Sequence, residues 1–139
     1  MTTPGSLPEE VQLDISGSAD NALAISAARR LAREIGFSEA EEFLIATAVS
    51  ELSTNILHYA GSGQVTLRAV RADGRTGIEV VALDAGPGIE DIARAMEDHY
   101  STGGTLGLGL PSVKRIMDAF SVEPRTGCGT ICTARKWVD

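Results

Sequence analysis

Aromatic residues are scarce in this 139-residue sequence, and long apolar segments are missing from it. Phe, Trp and Tyr supply only 4% of the residues, so the core must be built mainly from aliphatic side chains. No apolar run approaches the roughly 18 residues needed to span a bilayer. The start, MTTPGSLPEE, also lacks the basic and apolar regions of a secretion signal. We therefore expect a cytoplasmic protein.

Basic charge and cysteine are also in short supply. The formal net charge of -7 opposes a general attraction to nucleic acid or to an anionic membrane. Cys128 and Cys132 lie in a segment typical of a strand, where four residues span about 13 Å, beyond the roughly 7 Å Cα separation of a disulfide. His58 and His99 are far away in the sequence, so a metal site is poorly supported. We interpret both cysteines as packed thiols.

The spacing of apolar residues predicts a single α/β domain over residues 1–139, in which residues 1–9 form a mobile lead-in. Strands are predicted at residues 11–15, 64–72, 78–83 and 130–138, and helices at 20–35, 39–59, 91–97 and 110–120. Ser38 and Glu41 form a capping-box pattern at the start of the long second helix. This order predicts a two-layer sandwich in which a mixed, mainly antiparallel sheet carries helices on one face.

The first predicted helix is amphipathic. Its apolar residues recur every four positions, at Leu23, Ala27, Leu31 and Ile35. Three arginines fall elsewhere on the helix: Arg29, Arg30 and Arg33. They form either a docking surface for an acidic partner or an ordinary solvated helix face.

Two polar residues interrupt the apolar face of the second helix. Glu51 and Asn55 are four residues apart, so their side chains share a face with Leu44 and Ala48. A carboxylate there could accept a proton, and an amide oxygen could ligate Mg²⁺. A solvent-facing pair on an amphipathic helix would give the same pattern.

A carboxylate and several glycines follow the third predicted strand. Asp84 closes the strand and precedes Gly86 and Gly88, so the chain can turn sharply beside it. The carboxylate could accept a hydrogen bond from the exocyclic amine of adenine, while the glycines let a flat base approach the main chain. An ordinary Asp-Gly turn is the alternative interpretation.

A second glycine-rich loop, GGTLGLG at residues 103–109, leads into the predicted helix at 110–120. Glycines at a helix N-terminus expose main-chain amides to an anion such as a phosphate. The loop is not a Walker A motif, because no Gly-Lys-Ser or Gly-Lys-Thr follows, and it is a poor dinucleotide fingerprint.

Three motifs in this order resemble the N, G1 and G2 boxes of the GHKL ATPase/kinase superfamily: ELSTN at 51–55, DAGPG at 84–88 and LGLGL at 106–110. The resemblance implies the Bergerat ATP-binding fold, with ATP and Mg²⁺ as cofactors. It implies that Glu51 is the catalytic base, that Asn55 is the metal ligand and that Asp84 contacts adenine. The implied cofactor-binding residues are Asn55, Asp84, Gly86, Gly88, Gly104, Thr105, Leu106, Gly107, Leu108, Gly109 and Thr130.

Finer features resemble the RsbT-like serine/threonine kinases of bacterial partner switching, above all MEDHYSTGGTLGLGLPSVKRIMDAF and the terminal ARKW. This resemblance implies phosphorylation of STAS-domain proteins of the stressosome, similar to RsbS and RsbR. It also implies activation of an RsbU-like phosphatase by docking. An RsbW-like anti-sigma factor, which binds a sigma factor and phosphorylates its antagonist, is the alternative.

Overall fold

The computed structural model describes residues 7–86, 109–125 and 127–139. Its helices are α1 (Ser18–Ile35), α2 (Glu39–Tyr59) and α3 (Gly109–Ile116), and its strands are β1 (Val11–Ile15), β2 (Gly63–Ala72), β3 (Arg75–Asp84), β4 (Ala119–Pro124) and β5 (Thr130–Trp137). The strands form one sheet in the order β1-β2-β3-β5-β4, and each of these four pairs is antiparallel. This arrangement confirms the two-layer α/β sandwich. The helix predicted at residues 91–97 lies outside the described residues.

Local signals in the sequence explain where α2 and the β2–β3 hairpin begin and end. At the start of α2, Ser38 Oγ accepts a hydrogen bond from the Glu41 amide at 3.2 Å, and the Glu41 carboxylate accepts one from the Ser38 amide at 3.3 Å. Between β2 and β3, Asp73 and Gly74 have positive φ angles of 52° and 76°. Two such residues match the twist of an antiparallel hairpin, which is why Asp-Gly is favoured there.

The hydrophobic core lies between the helices and one face of the sheet. On β3, Ile78, Val80 and Ala82 alternate toward this core and are buried. Asp84 continues the same alternation, so it lies on the helix-facing side at the end of the strand. The strand thus places the Asp84 carboxylate directly after its last buried apolar residue on this face.

The opposite face of the sheet carries a charged cluster around Glu79. This residue is only 3% exposed, and its carboxylate accepts hydrogen bonds from Arg68 Nε and Arg135 Nε, each at 2.6 Å. Both arginines are the cross-strand neighbours of Glu79. Burial acts to raise the pKa of Glu79, but the two guanidinium groups outweigh it and the pKa lies below its usual value.

A second charged cluster joins α1 to α2. Glu42 is 4% exposed and accepts hydrogen bonds from Arg29 Nε at 3.1 Å and from Arg33 Nη2 at 2.8 Å. Hydrogen bonding by Arg33 is the main cause that lowers the pKa of Glu42. Two of the three arginines considered as a docking surface therefore pair with Glu42, although the side chains of Arg29 and Arg33 remain 48% and 66% exposed. Arg30 is also exposed.

The buried stripe of α1 differs from the predicted one. Leu23 is 58% exposed, and the residues that reach the core are Ala24, Ala27, Ala28, Leu31 and Ala32. A spacing of four residues drifts about 40° per step around a helix of 3.6 residues per turn. Leu23 and Leu31 are two such steps apart, so about 80° of rotation separates Leu23 from the face that holds Leu31.

The helix predicted at residues 110–120 is wrong in its second half. Helix α3 ends at Ile116, and Phe120 lies in β4 opposite Ala134 of β5. Residues 119–124 alternate in exposure, with Phe120 and Val122 half-buried between more exposed neighbours. This period of two is typical of a strand. The predicted helix was therefore extended too far, because the helical spacing ends before residue 119.

Candidate functional site

Helix α2 presents Glu51 and Asn55, one turn apart and both half-buried. Ala48 on the same face is buried, in agreement with its apolar pattern, and the neighbouring Leu52 is buried as well, whereas Leu44 is 42% exposed. Burial raises the pKa of Glu51. Desolvation disfavours the charged form of a carboxylate, so Glu51 is a stronger base than an ordinary surface glutamate.

Asp84 and Thr130 lie side by side at one end of the sheet. Asp84 is 8% exposed, and its Oδ1 accepts a hydrogen bond from the amide of Gly86 at 3.1 Å. Thr130 is the cross-strand neighbour of Asp84 on β5 and is 4% exposed. Two residues that are 46 positions apart in the sequence are thus brought together on the helix-facing side.

Gly86 joins this segment to the C-terminal end of α2. A Cβ atom on Gly86 would lie 2.6 Å from the Cβ of Ala60 and 3.1 Å from the carbonyl oxygen of Tyr59. Only glycine fits so close to the helix. The segment that follows Asp84 is therefore held against the same helix that carries Glu51 and Asn55.

The two cysteines differ in their surroundings. Cys132 is buried as predicted, and burial, followed by the negative charge of Asp84, raises the pKa of its thiol to about 12. The thiol is therefore neutral at physiological pH. Cys128 is exposed, which corrects its interpretation as a packed thiol, and it donates a hydrogen bond to the carbonyl oxygen of Gly86. Its position is set by the tight turn between β4 and β5, which leaves the side chain at the surface.

Helix α3 begins at Gly109 and packs against α2. Gly109 is thus placed at a helix N-terminus, as the glycine-loop hypothesis requires. Six further residues predicted to bind the nucleotide lie outside the described residues: Gly88, Gly104, Thr105, Leu106, Gly107 and Leu108. Their roles stay predictions.

Sequence reasoning missed two residues that contact the Asp84 main chain, Arg125 and Gly129. Arg125 Nη1 donates a hydrogen bond to the carbonyl oxygen of Asp84 at 2.8 Å. Gly129 has a φ angle of 104°, and a Cβ atom there would overlap the same carbonyl oxygen. The glycine-rich turn at 127–129 was visible in the sequence, but its contact with Asp84 crosses more than 40 residues and leaves no local pattern.

Within residues 7–86, 109–125 and 127–139, no group of three or more His, Cys, Asp or Glu side chains is arranged to hold a metal ion. No helix in that part of the chain is long and apolar enough to cross a membrane.

Comparison with known proteins identifies the family. The model of the histidine kinase-like ATPase domain matches residues 18–136. The chain belongs to this ATPase family. The serine/threonine-protein kinase RsbT of Bacillus subtilis is 48% identical over 110 residues, which cover 79% of this chain and 83% of RsbT. This histidine kinase-like ATPase is accordingly an RsbT-like serine/threonine-protein kinase.

Other relatives of this RsbT-like kinase include anti-sigma factors. The anti-sigma F factor of Caldanaerobacter subterraneus is 36% identical over 100 residues, covering 68% of each chain. Among solved structures, a mycobacterial sensor histidine kinase, MprB, aligns with a TM-score of 0.56 at 20% identity, covering 93% of this chain and 96% of MprB. The SiaB–SiaC complex of Pseudomonas aeruginosa aligns with the same TM-score at 13% identity, covering 95% and 91%. These two structures support the fold.

Proposed function

We propose that this RsbT-like kinase uses ATP and Mg²⁺ to phosphorylate a serine or threonine hydroxyl of a stressosome STAS-domain protein similar to RsbS or RsbR. When released from that protein, it activates an RsbU-like phosphatase. The catalytic part of the proposal depends mainly on Glu51. Burial raises the pKa of Glu51, and the residue lies one turn from Asn55 on the helix that packs against Gly86. The 48% identity to RsbT supports the choice of partners.

Glu51 acts as the general base in this proposal. Its carboxylate accepts the proton from the substrate hydroxyl, so that the oxygen can form its bond to phosphorus. Partial burial suits this role, because a raised pKa makes the carboxylate a better proton acceptor while the group stays in contact with solvent and substrate. Most of the remaining catalysis in phosphoryl transfer is positioning.

The residues at the end of the sheet fit an adenine nucleotide. The buried Asp84 carboxylate accepts a hydrogen bond from the exocyclic amine, with Thr130 beside it. Gly86 holds the segment after Asp84 against α2, and in this proposal the amides of residues 104–109 bind the phosphates. Asn55 supplies an amide oxygen to Mg²⁺, a hard cation that prefers such ligands. When bound, ATP supplies the phosphoryl group and Mg²⁺ neutralises charge on its phosphates.

Incubation with labelled ATP, Mg²⁺ and a purified STAS-domain protein tests the proposal. We expect label on a serine or threonine of the STAS protein, and none when that residue is replaced by alanine. Omission of Mg²⁺ should abolish transfer. A kinase that binds ATP but labels no STAS-domain protein would contradict the proposed substrate and leave the ATP site standing.

The second candidate is an anti-sigma factor kinase, favoured by the 36% identity to an anti-sigma F factor. The two candidates differ in the protein that they retain. Immobilised kinase should capture the STAS-domain protein and an RsbU-like phosphatase under the first proposal, and an RNA polymerase sigma subunit under the second. Capture of sigma without the phosphatase would favour the anti-sigma function.

A further inference from the structure

Arg125 contacts the end of β3 from a distant part of the sequence. It follows β4, yet its Nη1 donates a 2.8 Å hydrogen bond to the carbonyl oxygen of Asp84, 41 residues away. Asp84 is the last residue of β3, so this carbonyl lies where the strand pairing stops. A guanidinium donor forms a stronger hydrogen bond to such an oxygen than a neutral donor would. Arg125 therefore extends the support of the sheet beyond its last pair.

The β4–β5 turn meets the same segment at two further points. At Gly129, an added Cβ atom would lie 2.9 Å from the Cα atom of Ala85, so the two main chains are in direct contact. Cys128 Sγ lies 3.4 Å from the carbonyl oxygen of Ala85. The turn itself is closed by a hydrogen bond from the Arg125 amide to the Gly129 carbonyl at 3.1 Å. A displacement of the turn would therefore displace residues 84–86.

Arg125 lines a groove that opens to solvent at the end of the sheet. The groove has a volume of about 340 Å³, and its lining includes Asp14, Gln64 and Asp84. The Asp84 carboxylate itself belongs to the helix-facing side of β3. Arg125 thus contacts the main-chain carbonyl of Asp84, whereas the Asp84 carboxylate faces the helices.

We infer that Arg125 is a positioning residue for nucleotide recognition, because it fixes the main chain from which the adenine-binding carboxylate of Asp84 projects. The inference rests on the function proposed above. A recognition hydrogen bond depends on tenths of an ångström, so a loosened Asp84 discriminates poorly between bases. Adenine presents an amine where guanine presents a carbonyl oxygen, so the loss should appear mainly in the preference for ATP over GTP.

Replacement of Arg125 by Met removes the donors and keeps an apolar stem. The affinity for ATP, measured by calorimetry, should fall about tenfold. This is the effect expected when the charged hydrogen bond between Asp84 and adenine is lost. The affinity for GTP should change much less, and in phosphotransfer the KM for ATP should rise while kcat at saturating ATP stays close to wild type. Arg125→Lys retains a charged donor and should recover most of the ATP preference.

Arg75→Met is the matched control. Arg75 begins β3 and stacks on Trp137, with its guanidinium carbon 4.9 Å from the ring centroid. Asp84 lies nine positions further along the extended strand, a distance of about 30 Å. The same substitution there should leave both nucleotide affinities unchanged.

The ratio of ATP to GTP affinity decides between positioning and general stabilisation. An Arg125→Met protein with unchanged ATP affinity, or with equal losses for both nucleotides, overturns the inference. If this variant does not fold, Arg125→Gln is measured, and a Gln variant with the wild-type ratio overturns it as well. Failure of the wild-type protein to bind ATP would instead contradict the proposed function. If Asp84→Asn lowers ATP affinity and Arg125→Met does not, only this inference is contradicted.

Discussion

Replacement of Glu51 by Gln should separate ATP binding from chemistry. Gln keeps the size and most of the hydrogen-bonding shape of Glu, but it cannot accept the hydroxyl proton. A positioned general base contributes about 10²- to 10⁴-fold to the rate, equivalent to about 3 to 5 kcal/mol in the activation barrier. Phosphotransfer to the STAS-domain partner should fall by that factor, while ATP affinity and partner docking change little.

The raised pKa of Glu51 adds a prediction about stability. A carboxylate whose pKa is higher in the folded state stabilises the protein below its unfolded pKa, and this contribution is lost as pH rises through the folded pKa. Ionised Glu51 therefore destabilises the fold at neutral pH, and Gln cannot ionise. The Glu51→Gln protein should melt at a temperature equal to or above that of wild type at pH 7, and this advantage should vanish in acid.

Single-turnover phosphotransfer with labelled ATP, followed across pH, checks both statements. In wild type, the rate should decline with falling pH from a point above the ordinary glutamate pKa of about 4.3, because burial raises the pKa of the base. A Glu51→Gln protein that transfers phosphate at the wild-type rate would refute the assignment. A variant that binds ATP weakly and also melts at a lower temperature than wild type would show that Glu51 has a structural role instead.

Three further substitutions test other parts of the structure. Asp84→Asn should weaken ATP binding by about tenfold or more, because an amide can present a donor to the adenine amine; unchanged affinity by calorimetry would remove Asp84 from the pocket. Asn55→Ala should reduce affinity for Mg·ATP more than for metal-free ATP, whereas equal losses would indicate a packing defect in α2. Glu79→Gln should destabilise the fold by about 1 to 3 kcal/mol in urea denaturation at pH 7, since its two arginines lose a charged acceptor but are half exposed. The pKa of Glu79 is lowered, so this difference should be present above the unfolded pKa and shrink as pH falls through the folded pKa.

Much of the fold could be predicted from local patterns in the sequence. Ser38 and Glu41 mark the start of α2, and the structure contains their reciprocal hydrogen bonds. The Asp-Gly pair between β2 and β3 marks a hairpin, because its left-handed conformation suits these residues. Glu51 and Asn55 could be selected because two polar groups on an apolar helix face need a reason. Each of these signals depends on residues within a few positions of one another.

The errors arose where one local period was carried too far. The four-residue spacing from Leu23 to Ile35 suggested a stripe, but the helical turn is shorter than four residues, so Leu23 rotates into solvent. Phe120 fits a helical spacing with Met117 and Ile116, yet it also begins an alternation that continues through Val122. Pairing with β5 decides between the two periods, and pairing is a long-range property.

Long-range contacts also decide how the arginines are used. Arg29 and Arg33 have the spacing of an exposed helix face, but the nearly buried carboxylate of Glu42 on α2 engages both. Reversal of charge at Arg29 would therefore disturb the α1–α2 contact before it reported on any partner, and Arg30 is the cleaner probe of docking. The contact of Arg125 with Asp84 is also long-range, and no residue near Arg125 in the sequence indicates it. Motifs predict which residues bind the nucleotide, whereas a contact such as that of Arg125 with Asp84 can be identified only in the folded structure.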